Sequence, residues 1–150
     1  MARMIDISLS GFQRSVEAIL LDDREPDYAE HLWQLLETPL RMWSWHPMMT
    51  GDWFACKARP LARKAPPLQS RTPKTSRLMC DIEAGSIMYA ADRMLRFAYG
   101  PSITEPLAGH RPVVARAVDA DVCFAAGRHV LMSQFGTHEL VTVTVTRRDA

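Results

Sequence analysis

The sequence predicts an α+β domain: an antiparallel sheet, built from a central hairpin and a C-terminal meander, packed with about three helices. Three observations predict it. Apolar residues recur at helical spacing over residues 10–37 and again over 86–98. A turn, Thr50-Gly51-Asp52, separates two short apolar runs. Near the C-terminus Val141, Val143 and Val145 alternate with Thr142, Thr144 and Thr146, the period of a half-buried strand with one wet face. Helices first, a hairpin between and strands last describe an α+β arrangement, and the strand connections are too short for parallel crossovers.

Taken in order, Ser10 to Leu21 reads as a first helix, with Phe12, Val16, Ile19 and Leu20 on one face and Ser10 with Gln13 at capping-box spacing. Asp27 to Glu37 reads as a second helix, with Tyr28, Leu32, Leu35 and Leu36 as its stripe and Thr38-Pro39 as its stop. Leu40 to Met49 is extended between Pro39 and Pro47, and Trp53 to Lys57 returns beside it. Ala58 to Thr75 carries Pro60, Pro66, Pro67 and Pro73, which forbid regular structure. Leu78 to Ile82 reads as a short strand. Ser86 to Ala98 reads as the clearest helix, with Ile87, Ala91, Met94, Leu95 and Ala98 aligned and Tyr99-Gly100-Pro101 ending it. Strands follow over Pro112–Val118, Val122–Ala125, His129–Gln134 and Glu139–Arg147, with Asp119-Ala120-Asp121 as a turn. The final strand, at an edge, would be open to pairing with its own copy.

The chain has 150 residues, 47% apolar and 23% charged, the balance of one globular domain spanning 1–150 with a basic proline-rich loop at about 58–75. Net charge is +1, so the molecule as a whole is not an electrostatic nucleic-acid binder. The charge is uneven. Residues 1–39 hold eight acids against three arginines (−5), whereas 40–77 hold eight bases against Asp52 alone (+7). Such asymmetry favours self-association or docking to a charged protein, or else the two regions neutralise each other within one monomer. Cys56, Cys80 and Cys123 are odd in number and widely spaced, the pattern of reduced thiols rather than of a disulfide framework. No apolar run approaches the roughly 18 residues of a membrane helix, and no signal peptide is visible, so a cytoplasmic protein is expected.

Candidate chemistry is sparse. The five histidines, His31, His46, His110, His129 and His138, lack the short spacings of a zinc site, and a cluster of Cys123, His129 and His138 rests on strand order alone, so no metal or cofactor is expected. No nucleophile elbow or glycine-rich phosphate loop occurs, and Cys80 or Cys123 with a histidine has no motif behind it. His46 across the hairpin from Asp52 could form an acid–base pair or simply a turn-stabilising hydrogen bond. Trp43 and Trp45, two apart in a strand, share a face and with Trp53 fill a core or line a pocket or interface. Met42, Met48 and Met49 beside them suit an adaptable partner-binding patch. Arg59, Arg63 and Lys64 belong to the basic loop, which suits an acidic protein surface; it lacks the interleaved aromatics of a single-strand binder.

One arrangement over roughly Leu36 to Met94 is familiar. Pro39 precedes the extended Trp43-Ser44-Trp45, a basic stretch follows, and Ser76-Arg77-Leu78-Met79-Cys80-Asp81 supplies a Ser-x-x-Met-x-Asp leading onward. This resembles the RsaM-type family of small bacterial quorum-sensing regulators, whose length is also similar. The resemblance implies a non-enzymatic, cytoplasmic homodimer that restrains acyl-homoserine-lactone signalling and downstream transcription, without catalytic residues to carry over. The expected function is therefore a regulatory module acting through protein contacts, with Trp43, Trp45, Trp53, Arg59, Arg63 and Lys64 as its interaction surface. The alternatives are a small α+β barrel or cone-type enzyme or ligand-binding protein with an aromatic-lined pocket, and a DNA-binding regulator using the basic loop.

Overall fold

The computed structural model describes residues 2–48, 50–61, 79–104 and 112–148. It holds eight strands: β1 (Met4–Leu9), β2 (Ser15–Leu20), β3 (Leu40–Trp45), β4 (Gly51–Lys57), β5 (Ser86–Tyr89), β6 (Met94–Ile103), β7 (Val113–Ala117) and β8 (Thr142–Arg148). Two α-helices join them, α1 (Pro26–Leu35) between β2 and β3 and α2 (Ala120–Met132) between β7 and β8. Every pairing is antiparallel, and the order β1-β2-β7-β5-β6-β4-β3-β8 closes on itself through β8 and β1. The α+β expectation of an open sheet packed with about three helices is thus overturned: the molecule is a closed barrel carrying two α-helices among the described residues.

Closure follows from the inner face. Ile5, Ile7 and Leu9 of β1, Val16, Ala18 and Leu20 of β2, Leu40 and Met42 of β3, and Val143 and Val145 of β8 alternate with outward residues and are buried. An eight-stranded barrel has an interior just wide enough for such side chains to fill. Phe54 and Phe97 stack across its middle at 4.6 Å, and Tyr99 continues the column toward one rim. The outer face of β4, β5, β6 and β7 is also covered: Trp53, Ala55, Met88, Ala98 and Val113 form a second buried cluster with Ile82 and Ile103. The antiparallel order places α1 at the rim where β1 and β3 begin and α2 at the opposite rim. Tyr28, Leu32 and Leu35 of α1 and Val122, Cys123, Ala126 and Val130 of α2 plug the two ends.

The departures from the sequence reading have local causes. The helix expected over Ser10–Leu21 is a hairpin. Gly11 takes a left-handed φ of 75°, and Val16, Ala18 and Leu20, spaced by two, outweigh the weaker helical stripe. The helix expected over Ser86–Ala98 is the β5–β6 hairpin. All four residues of β5 are buried, so no alternation marks it as a strand. Its turn is set by Arg93, at φ 63°, whose N–H donates to the Ala90 carbonyl, and by Asp92 Oδ1, which accepts from the Met94 N–H. The strands expected over Val122–Ala125 and His129–Gln134 are the single helix α2. Asp119 caps it, its Oδ1 accepting from the N–H groups of Asp121 and Val122. The strand expected at Leu78–Ile82 is a 3-10 turn at Met79–Asp81. The helix at Asp27–Glu37 and the hairpin of β3 and β4 stand, although α1 starts at Pro26 without a side-chain cap. β8 is no edge: β1 flanks it on one side and β3 on the other.

Candidate functional site

The rim closed by α2 holds a buried histidine–tyrosine pair. His46 follows the last residue of β3 and is 4% exposed; Tyr99, pointing inward from β6, is 1% exposed. The Tyr99 hydroxyl lies 2.6 Å from His46 Nε2, and His46 Nδ1 lies 2.8 Å from the Pro47 carbonyl. A carbonyl only accepts, so Nδ1 carries the ring proton and Nε2 is left as a lone pair. Tyr99 therefore donates to His46. Burial pushes the Tyr99 phenol up to about 12 and pulls the His46 imidazole below its usual range, so both groups are neutral at pH 7.

Three elements hold this pair. Gln134 lies in the π-turn Ser133–Thr137 that extends α2. Its Oε1 accepts from the His46 N–H at 2.7 Å, and its Nε2 donates to the His46 carbonyl at 2.8 Å. Gly127 of α2 sits directly on the Tyr99 ring: a Cβ there would fall 2.0 Å from the ring carbon Cγ. One turn earlier Phe124 meets the same ring edge-on at 5.8 Å. Asp52 and Arg128 bring opposite charges within electrostatic reach of both members. Such an array can accept a proton at the imidazole, offer phenol lone pairs, and contact an aromatic ring.

The opposite rim has a second pair, the Tyr89 hydroxyl at 2.9 Å from His31 Nδ1 of α1, their rings stacked at 5.6 Å. Burial again pushes the phenol to about 12 and lowers the imidazole. Here the surroundings tie α1 to the barrel: the guanidinium groups of Arg3 and Arg147 lie over the Trp33 ring, at 5.1 and 4.5 Å from its centroid.

The residues singled out from the sequence scatter. Trp43 and Trp45 do share a face, the outer one: Trp43 is 63% exposed, and Trp45 meets Trp53 edge-on at 5.4 Å. Trp53, only 4% exposed, is core, its indole N–H donating to Thr50 Oγ1. Arg59 spends its guanidinium on the end of α1, donating to the carbonyls of Leu35, Thr38 and Pro39 and to Thr38 Oγ1. Arg63 and Lys64 lie outside the described residues, as does His110. His46 and Asp52 are not a hydrogen-bonded pair: Asp52 Oδ2 accepts from the Ser102 N–H instead. Cys123 and Cys56 are buried, the first thiol pushed up to about 11 and the second higher, and His129 Nε2 bonds the Ser10 carbonyl. Among the described residues no three His, Cys, Asp or Glu side chains are placed to hold a metal. No helix of the described residues is long and apolar enough to cross a membrane. Sequence reasoning missed Tyr99, Phe124 and Gln134. The signal for the first was the two-residue spacing of Leu95, Phe97 and Tyr99.

Comparison with solved structures then decides the architecture. The fold is similar to that of McbB. The structure of McbB in complex with tryptophan superposes with a TM-score of 0.80 at 24% identity, covering 97% of this chain and 45% of McbB. This chain thus spans less than half of McbB's length. The hypothetical protein AF2241 from Archaeoglobus fulgidus, solved in solution, matches with a TM-score of 0.58 at 14% identity over 98% of this chain and 95% of its own. A barrel of this kind is therefore also seen at nearly this chain's own length. No protein-family model and no curated protein matches.

Proposed function

We propose that this chain is a ligand-binding barrel that takes a small aromatic, nitrogen-bearing molecule of the tryptophan class at the rim closed by α2. The observation that carries the reading is the buried His46–Tyr99 pair at the head of an aromatic column, held by the helix that closes that rim. A core needs no such pair for packing, because each buried polar group costs free energy unless it is bonded. Buried polar groups among aromatic and aliphatic walls are the usual make-up of a small-molecule site. McbB, which binds tryptophan, shares the fold. Calorimetric titration with L-tryptophan, tryptamine and indole tests the proposal. At least one should bind, with chemical-shift changes centred on Tyr99, Phe124 and Gln134. Tyr99→Phe should weaken it about tenfold, the loss of roughly one hydrogen bond. No heat and no shift changes with any of the three at millimolar concentration would overturn it.

The regulatory reading draws on a different observation, the indoles of Trp43 and Trp45 on the outer face. Trp43 pairs with Thr142 of β8, and Leu140, two residues before Thr142, is itself exposed. In that second proposal the face contacts a protein of an acyl-homoserine-lactone circuit or a second copy of this chain. Sedimentation of the native chain and its Trp43→Ser variant checks it: a dimer lost on substitution supports the contact with a second copy, and a monomer in both counts against it.

A further inference from the structure

The π-turn at the end of α2 does more than terminate a helix. β3 ends at Trp45, so the backbone of His46 has passed beyond its last paired neighbour on the barrel wall. The Gln134 carboxamide replaces that neighbour, meeting both the N–H and the C=O of His46 as a paired strand would. A π-turn inserts one residue into helical spacing and so re-aims the side chains it carries. The turn is itself secured, since the His138 and Glu139 N–H groups both donate to the Ser133 carbonyl, with His138 left-handed at φ 60°. With its backbone fixed on both sides, His46 keeps Nδ1 on the Pro47 carbonyl and Nε2 on Tyr99.

A tyrosine hydroxyl has one proton and two lone pairs. The proton is committed to His46, so the oxygen has only lone pairs to offer anything else. We infer that Gln134 is a positioning residue which, by holding His46, makes Tyr99 an acceptor toward the ligand, and that the ligand presents an N–H or O–H donor to it rather than a carboxylate or phosphate oxygen. This rests on the binding reading above and specifies its polarity.

The experiment uses the full chain with two probes of nearly identical shape, indole and benzofuran, of which only indole has an N–H. In the unliganded protein, 15N shifts of the His46 ring should show Nδ1 protonated and Nε2 bare. Gln134→Glu keeps the size of the side chain but cannot donate to the His46 carbonyl, and should give a mixed tautomer. Indole should bind the native protein about tenfold more tightly than benzofuran, the worth of one hydrogen bond. In Gln134→Glu, and in Gln134→Ala, that ratio should fall to about twofold. A protonated Nε2 in the native protein overturns the polarity, and so does equal affinity for the two probes, with the binding reading left standing. An unchanged tautomer and ratio in both variants overturns the role of Gln134. Failure of both probes, and of L-tryptophan and tryptamine, to bind overturns the binding reading and the ligand polarity together, whereas the tautomer result still decides what Gln134 does.

Discussion

The two rims of the barrel are closed by the same device, a helix with a tyrosine–histidine pair beneath it, yet they are built for different ends. Beneath α1, Tyr89 meets a histidine of the capping helix itself, and the surrounding contacts are fasteners. The guanidinium groups of Arg3 and Arg147 both lie over the Trp33 ring, the Trp33 carbonyl accepts from Arg147, and Arg59 donates to the Leu35 carbonyl at the end of the helix. Beneath α2, Tyr99 meets a histidine from the barrel wall, and the helix contributes a glycine, a ring edge and a carboxamide. At the first rim the polar pair helps fix the lid. At the second, the lid fixes the polar pair. That difference is the physical ground for placing a ligand under α2.

Gly127 is the residue at which the α2 rim is most vulnerable. Alanine there drives its methyl into the Tyr99 ring, a backbone-borne overlap that the flat ring can relieve only by moving. Gly127→Ala should lose about 1–3 kcal/mol in urea unfolding, the ordinary cost of overpacking, and should abolish tryptophan binding. Retained affinity would show that Tyr99 is not part of the site. Trp33→Ala strikes the opposite rim. Two cation–π contacts of about 0.5–1 kcal/mol each vanish with the packing of the indole, so a stability loss of about 2 kcal/mol is expected with affinity unchanged within about twofold. Affinity that falls along with stability would move the ligand to α1.

Acidity gives the smallest and finest test. Both imidazoles are depressed by burial, so the unfolded chain binds the protons first as pH falls. Stability is then full above about pH 6.5, the unfolded value, and declines below it. The phenols behave inversely. With folded values near 12 against an ordinary 10, stability declines as pH rises past about 10. His46→Gln and His31→Gln should each flatten the acid limb of a pH series of unfolding midpoints. Only His46→Gln should also alter tryptophan affinity at pH 7.

How much of this was legible in the residues depends on how strongly each segment states its period. β8 announces itself, because its valines and threonines alternate without exception and one side of the strand is wet. α1 does too, with Pro26 at its start and Tyr28, Leu32 and Leu35 in line. β5 and the first half of β6 do not. Ser86-Ile87-Met88-Tyr89 is buried on both faces, since a second cluster covers the outside of that wall, and a strand apolar on both sides loses its alternation. Ile87, Ala91, Met94, Leu95 and Ala98 then fall at helical spacing by coincidence. Misreading that hairpin as a helix hid the direction of Tyr99. Reading α2 as two strands hid Gln134, although Asp119 followed by Asp121 was a start signal of the kind helices use. The site was illegible for a further reason: its members come from residues 46, 99, 124 and 134, and only the closing of the hoop brings them together. The tryptophans were legible as a pair, but their roles divide by what covers them: Trp53 is buried in the cluster on the outer wall, whereas Trp43 is left exposed.

A ring of strands has no terminus at which unravelling can begin. Peeling any one strand away severs two ladders at once, so fraying that would nibble at an open sheet must here be cooperative. Among the described strands it also leaves no open edge, β8 included, so self-assembly through the barrel wall uses side chains on its flanks rather than backbone along a seam.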